Sequence, residues 1–237
     1  GSDGRLLPVL ESISLSLDSG CCLGIAGESG SGKSLLALSL MGLVPSGSVY
    51  SHSGSMQLDG QELTDLSEEK FRALRGARMA MVFQEPMTAM NPLLTLAEQV
   101  GETVRAHEPG VTGEDVRAKV EKALFRAGFA LPDKFLHSFP HQLSGGMRQR
   151  AMLAMALVME PDLIIADEPT TALDAALQVQ LLKQLRSLIQ HGHHAMIFIS
   201  HDLGVIRSIA DSLAVLYAGQ VVEAGPVKAV LESPGHP

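Results

Sequence analysis

The chain has 237 residues, with 18 basic and 26 acidic side chains and a net charge of −8. Hydrophobic residues make up 46%, enough to bury a sizeable core, and the acidic balance argues against a protein held to nucleic acid by general attraction. The longest unbroken apolar run, Ala151–Met159, falls well short of the roughly 20 residues a membrane-spanning helix needs. The two cysteines, Cys21 and Cys22, are adjacent, which excludes a disulfide framework and fits a reducing compartment. With no Trp and few aromatics, a stacking platform for single strands is not expected either, so no nucleic-acid partner is.

Gly1-Ser2-Asp3-Gly4 reads as a flexible end. From Val9 to Leu17 apolar and polar residues nearly alternate, which predicts a half-buried strand, closed by the turn Asp18-Ser19-Gly20. Cys21–Ala26 is a short apolar run, a buried strand. After the glycine-rich Gly27–Gly32, Ser34–Leu43 reads as a mostly buried helix. Met56–Gly60 suggests a strand ending in a turn, and Met79–Phe83 another strand. Leu93–Met159 then reads as mainly helical, with breaks at Pro109-Gly110, Pro132 and Pro140. Strands resume at Leu163–Ala166, Ala195–Ile199, Leu213–Tyr217 and Gln220–Glu223, with helices at Ala175–Gln190 and Leu203–Ala210 between them. Strands alternating with helices predict an α/β fold with a parallel sheet, interrupted by a helical subdomain.

Gly27-Glu28-Ser29-Gly30-Ser31-Gly32-Lys33-Ser34 matches the pattern G-x-x-x-x-G-K-[ST], after a predicted strand and at the start of a predicted helix. Glycines let the backbone curl so that its N–H groups face phosphate oxygens, and the helix N-terminus adds partial positive charge. Lys33 is expected to reach the β- and γ-phosphates, and the Ser34 hydroxyl to ligand Mg²⁺. Leu163-Ile164-Ile165-Ala166-Asp167-Glu168 is an apolar strand ending in two carboxylates. The carboxyl ends of parallel strands face the ligand crevice, so Asp167 is expected to hold Mg²⁺ and Glu168 to polarise the attacking water.

Those two motifs fit many nucleotide hydrolases. Leu143-Ser144-Gly145-Gly146-Met147-Arg148-Gln149-Arg150 narrows the choice, because it is similar to the LSGGxxQR signature of ABC-type ATPases. Gln84 after Val82-Phe83 resembles that family's Q-loop glutamine, Ala172-Leu173-Asp174 its D-loop, and His201 in Ile199-Ser200-His201-Asp202 its switch histidine. The resemblance covers nearly the whole length. It implies an ABC ATPase fold: a P-loop core with a mainly parallel sheet and an N-terminal antiparallel β part (1–90 and 160–237), and a helical signature subdomain (91–159). It implies ATP and Mg²⁺ as cofactors, with ATP sandwiched across a head-to-tail dimer. Each site then uses Gly27–Ser34 of one chain and Ser144, Gly145 and Gly146 of the other. Glu168 is implied as general base and His201 as the contact to the γ-phosphate. Gln84 would join Mg²⁺ and the water to the membrane-facing surface, and Asp174 would couple the two sites.

Finer wording resembles the importers of the dipeptide, oligopeptide and nickel class: the phosphate loop itself, Phe83–Leu93, Pro140-His141-Gln142 and Ala166–Asp174. This implies membrane permease subunits as partners, a second ATPase subunit (identical or paralogous), and indirectly a solute-binding protein. The place implied is the cytoplasmic face of the plasma membrane. Peptides are the first expectation for cargo, nickel or another small solute the second. A soluble ABC ATPase of DNA repair or translation, an ABC-like assembly factor and a P-loop kinase are the weaker alternatives. In one departure, the family's adenine-stacking aromatic would fall at Asp3–Pro8, where no aromatic lies. Either a native N-terminal segment is absent, the favoured reading, or aliphatic contacts hold adenine; weak ATP affinity is expected. Cys21-Cys22 is expected to be structural, and His191, His193 and His194 to form a solvated loop. Most Met residues are expected in the core, with Met87 and Met90 divided between core and a groove for a membrane-subunit helix.

Overall fold

The structure, a computed structural model, describes residues 8–44, 53–171, 173–192 and 194–236. The expected flexible end, Gly1–Gly4, lies outside them. Five strands run parallel: β1 (Cys22–Ala26), β4 (Met79–Val82), β5 (Leu163–Asp167), β6 (Ala195–Ile199) and β7 (Ser212–Tyr217). With the antiparallel β8 (Gln220–Pro226) they form one sheet in the order β4-β5-β6-β1-β7-β8. A two-residue hairpin joins β2 (Gln57–Leu58) to β3 (Gln61–Glu62) through Asp59-Gly60, both at positive φ as a type I′ turn requires.

The parallel strands are apolar along their length because both faces are covered. On one face Ile164, Ala166, Met196, Phe198 and Leu213 share a core with α8 (Leu203–Ile209) and the long α7 (Ala175–Gly192). The same core runs on into α4 (Leu96–His107), α5 (Gly113–Arg126) and α6 (Gly145–Leu157), which fill the interval between β4 and β5. On the other face Leu23, Ile25, Ile165, Ile197 and Ile199 pack against α1 (Lys33–Leu40), Leu63 of the hairpin side, and Phe71 of α2 (Glu68–Leu74). Two short helices complete the set, α3 (Pro86–Ala89) and α9 (Val227–Glu232). The inserted helices start at side-chain caps: Thr95, in a capping box with Glu98, Thr112 and Ser144.

Two expectations change, and an open one is decided. Val9–Leu17 is not a strand. Leu10, Ile13, Leu15 and Leu17 do face the second core, but among the described residues the segment makes one ladder-like bond, from the Glu11 N–H to the Gly219 carbonyl. His194 is not in a solvated loop. It is buried, its Nδ1 at 2.5 Å from the Pro161 carbonyl and its Nε2 at 2.9 Å from the Arg126 guanidinium. His191 closes α7, and His193 lies outside the described residues. Met90 is core, not groove, while the side chain of Met87 is outside the described set. Cys22 is buried as expected, and burial pushes its thiol up to about 12.

Candidate nucleotide site

The phosphate loop leaves β1 at its carboxyl end, where β1 lies between β6 and β7 and the strand succession breaks. That is the crevice where open α/β sheets bind ligands. Gly27 is obligatory there: at φ +154° a Cβ would stand 2.2 Å from the Leu216 carbonyl oxygen. The loop's far side is pinned by the Gly219 N–H, which donates to the Ser31 carbonyl. α1 starts at Lys33, so the amides of its first turn have no intrahelical acceptor and point toward the loop's mouth. The Lys33 ammonium is buried inside the loop and donates to the carbonyls of Gly27 and Glu28, at 2.7 and 2.8 Å.

Parallel register sets the acidic pair beside this loop. Val82 of β4 pairs with Ala166 of β5, and Asp167 of β5 pairs with Ile199 of β6. Strand ends therefore deliver Gln84, Asp167-Glu168 and His201 to one edge. Asp167 is buried; the Ser34 hydroxyl hydrogen-bonds its carboxyl, and its Oδ1 has no partner. Burial, reinforced by neighbouring Glu168, raises the carboxyl above its ordinary value, against the opposing pull of Ser34 and Lys33. Among the described residues three buried side-chain atoms lack a hydrogen-bond partner, and two of them, Ser31 Oγ and Asp167 Oδ1, belong to this site. A buried acidic oxygen next to a hydroxyl is a donor set suited to a hard divalent cation.

Glu168 adopts a left-handed backbone, φ +49°, which costs a non-glycine residue roughly 1–3 kcal/mol and is typical of functional sites. Its N–H donates to the Ile199 carbonyl at the end of β6. Its carboxylate stands 2.8 Å from His201 Nδ1 through both oxygens, and accepts from the Thr171 hydroxyl at 2.6 Å. A carboxylate only accepts, so His201 carries its proton on Nδ1 and keeps Nε2 for another acceptor or donor. Gln84 is exposed two residues beyond β4 and makes no hydrogen bond to the acidic pair. Thr171 is the residue that sequence reasoning missed; its signal was the three-residue spacing from Glu168, which a turn closes through Thr171 N–H to the Glu168 carbonyl.

The signature sits elsewhere. Ser144 caps α6 by accepting from the Met147 N–H, and Gly146 packs so tightly on Leu177 that a Cβ would approach it to 2.9 Å. Gly145 is exposed, and a Cβ there would meet nothing within 4 Å. Among the described residues no hydrogen bond joins Ser144–Gly146 to residues 27–34. Asp174 caps α7, accepting from the N–H groups of Ala176 and Leu177, while Ala172 lies outside the described residues.

A glycine loop at the break in a parallel sheet, flanked by an acidic strand end, defines a P-loop nucleoside-triphosphate-binding α/β protein. Comparison with known proteins narrows this. The sequence pattern described as "ABC transporter" matches residues 10–171. The chain is 41% identical over 234 residues to the oligopeptide transport ATP-binding protein OppD of Bacillus subtilis, covering 99% of this chain and 65% of that protein. It is 43% identical over 240 residues to the glutathione import ATP-binding protein GsiA of Salmonella paratyphi A, covering 99% of this chain and 38% of that one. So it spans less than two thirds of the length of either. Among solved structures it is similar to an ATP-binding cassette in a dimeric, post-hydrolysis state bound to ADP and Pi. There the TM-score is 0.78 at 29% identity, over 92% of this chain and 90% of that one. The chain belongs to the ABC transporter family.

Proposed function

We propose that this chain is the ATP-binding and ATP-hydrolysing subunit of an importer, driving uptake of peptides or another small solute such as nickel through partner permease subunits. The observation that carries the proposal is the single sheet edge where Lys33, Ser34, Asp167, Glu168 and His201 converge. The amides of residues 27–34 and the Lys33 ammonium bind and neutralise phosphate oxygens. Asp167 and Ser34 would hold Mg²⁺, which would supply positive charge to offset the negative charge of the phosphate oxygens. Glu168 accepts the proton of the attacking water. His201, oriented by that carboxylate, offers Nε2 to the γ-phosphate. Gln84 lies at the same edge and extends the site toward the membrane-facing surface, with a role toward Mg²⁺ and water.

The rest of the site comes from a second chain. Ser144 and Gly145 form an exposed helix start, with Gly146 packed behind them, that a partner's γ-phosphate would complete, and Asp174 stands beside it to couple the two sites. We infer a core of residues 1–90 and 160–237 carrying the helical subdomain 91–159, with a second ATPase subunit, identical or paralogous, as partner. A solute-binding protein acts at one remove. The peptide-type names of the similar proteins support peptide cargo. Among the described residues no helix is long and apolar enough to cross a membrane, which suits a peripheral subunit at the cytoplasmic face. The paired Glu168 and His201 favour a motor over a non-catalytic assembly factor.

The test is light scattering of Glu168→Gln with and without Mg·ATP, beside wild-type ATPase assays. The expected result is phosphate release by the wild type, and a dimer of the variant with Mg·ATP and not with Mg·ADP. A wild-type chain that binds Mg·ATP without hydrolysing it would sink the proposal.

A further inference from the structure

We infer that Thr171 is a positioning residue for hydrolysis, holding the carboxylate of Glu168 in the orientation from which it receives the water's proton; this rests on the ATPase reading above. Glu168 follows β5 with its backbone in the left-handed region, so its side chain leaves the sheet in a direction that β-strand geometry does not set. Two groups then fix the carboxylate. His201 Nδ1 stands 2.8 Å from both oxygens, and the Thr171 hydroxyl donates to Oε2 at 2.6 Å. His201 comes from a different strand end, and its side chain is 64% exposed against 12% for that of Glu168. A histidine so exposed, meeting both oxygens equally, does not choose between them. The threonine does, engaging Oε2 and leaving Oε1 as the oxygen for water. The turn that carries Thr171 closes without its hydroxyl, through Thr171 N–H to the Glu168 carbonyl. The hydroxyl is therefore separable from the turn.

The experiment compares Thr171→Val and Thr171→Ser with the wild type in steady-state ATP hydrolysis. Valine keeps the shape and removes the donor; serine keeps the donor. A hydrogen bond to a charged group predicts that Thr171→Val lowers kcat by about 10–100-fold. KM for Mg·ATP should stay within about two-fold, because the nucleotide-binding groups are untouched. Thr171→Ser should restore kcat to within about three-fold of wild type. In a Glu168→Gln background Thr171→Val should add no further loss, since it acts through the carboxylate. An active wild type with an unchanged kcat in Thr171→Val would overturn the inference and leave the ATPase reading standing. So would an equal loss in Thr171→Ser, or a further loss on top of Glu168→Gln. An inactive wild type would overturn both.

Discussion

Asp167 shows how a single residue trades stability for a site. Its carboxyl is held above the ordinary value of 3.8, first by burial and then by adjacent Glu168. A raised folded-state value means that protonation favours the fold: the contribution is complete below 3.8 and is lost as pH rises through the folded value. At neutral pH the ionised group therefore costs stability. Asp167→Asn keeps the shape and removes the charge. By calorimetry at pH 7.5, the nucleotide-free variant should melt about 2–4 °C above the wild type, on the order of 1 kcal/mol in a domain of this size. As pH falls through the folded value the gap should shrink, because the wild-type carboxyl then takes up its proton. Mg·ATP should raise the melting temperature of the wild type and not of the variant. A variant that melts lower at pH 7.5 would show that Asp167 is stabilised by its neighbours instead of strained by burial.

At the scale of elements, α6 separates what the fold needs from what pairing needs. Gly145 opens the helix into empty space, so Gly145→Ala should keep or raise stability, by up to about 1 kcal/mol of helix propensity. Yet it should abolish Mg·ATP-driven dimers of Glu168→Gln in light scattering, because in the proposed pairing the added methyl would stand where the partner's phosphate approaches. A normal dimer would remove the signature from the site. The junction of inserted helices and core rests on another element pair. Arg126 of α5 donates to His194, which precedes β6, and its carbonyl accepts from Gln184 of α7. His194→Ala leaves the Pro161 carbonyl and a guanidinium N–H without partners, and should cost roughly 2–4 kcal/mol in urea unfolding. The sheet was legible in the sequence because strands buried on both faces are written as continuous apolar runs, and the phosphate loop because all its residues are consecutive. Val9–Leu17 misled because alternation reports burial on one side and not a hydrogen-bonded neighbour. His194 misled because three histidines in four residues read as polar loop, while its burial is decided by Arg126, 68 residues away. Thr171 was hidden for a related reason: its role follows from the left-handed turn at Glu168, which residue identity does not announce.

At the scale of the whole molecule, no hydrogen bond joins the phosphate loop to the signature within one chain, and on the proposed reading two copies of Glu168→Gln closing around Mg·ATP are like-charged bodies. Glu168→Gln has 18 basic and 25 acidic side chains, a net charge of 18 − 25 = −7, and each bound nucleotide adds more negative charge. The attractions that would close such a pair are short-ranged: amides at the start of α6 against a phosphate, at contact distance. The repulsion is long-ranged, reaching about 30 Å at 10 mM ionic strength and only about 8 Å at 150 mM. Salt should therefore weaken the repulsion more than the attraction. With Mg·ATP held saturating, the association constant of Glu168→Gln should rise several-fold between about 10 and 150 mM neutral salt, then level off once the Debye length falls below the spacing of the facing charges. Light scattering or sedimentation across that range measures it. An association constant that falls over the same interval would mean that complementary charge at the interface outweighs the net charge of the two chains, and would point to basic side chains near the signature, Arg148 and Arg150 first, as the source.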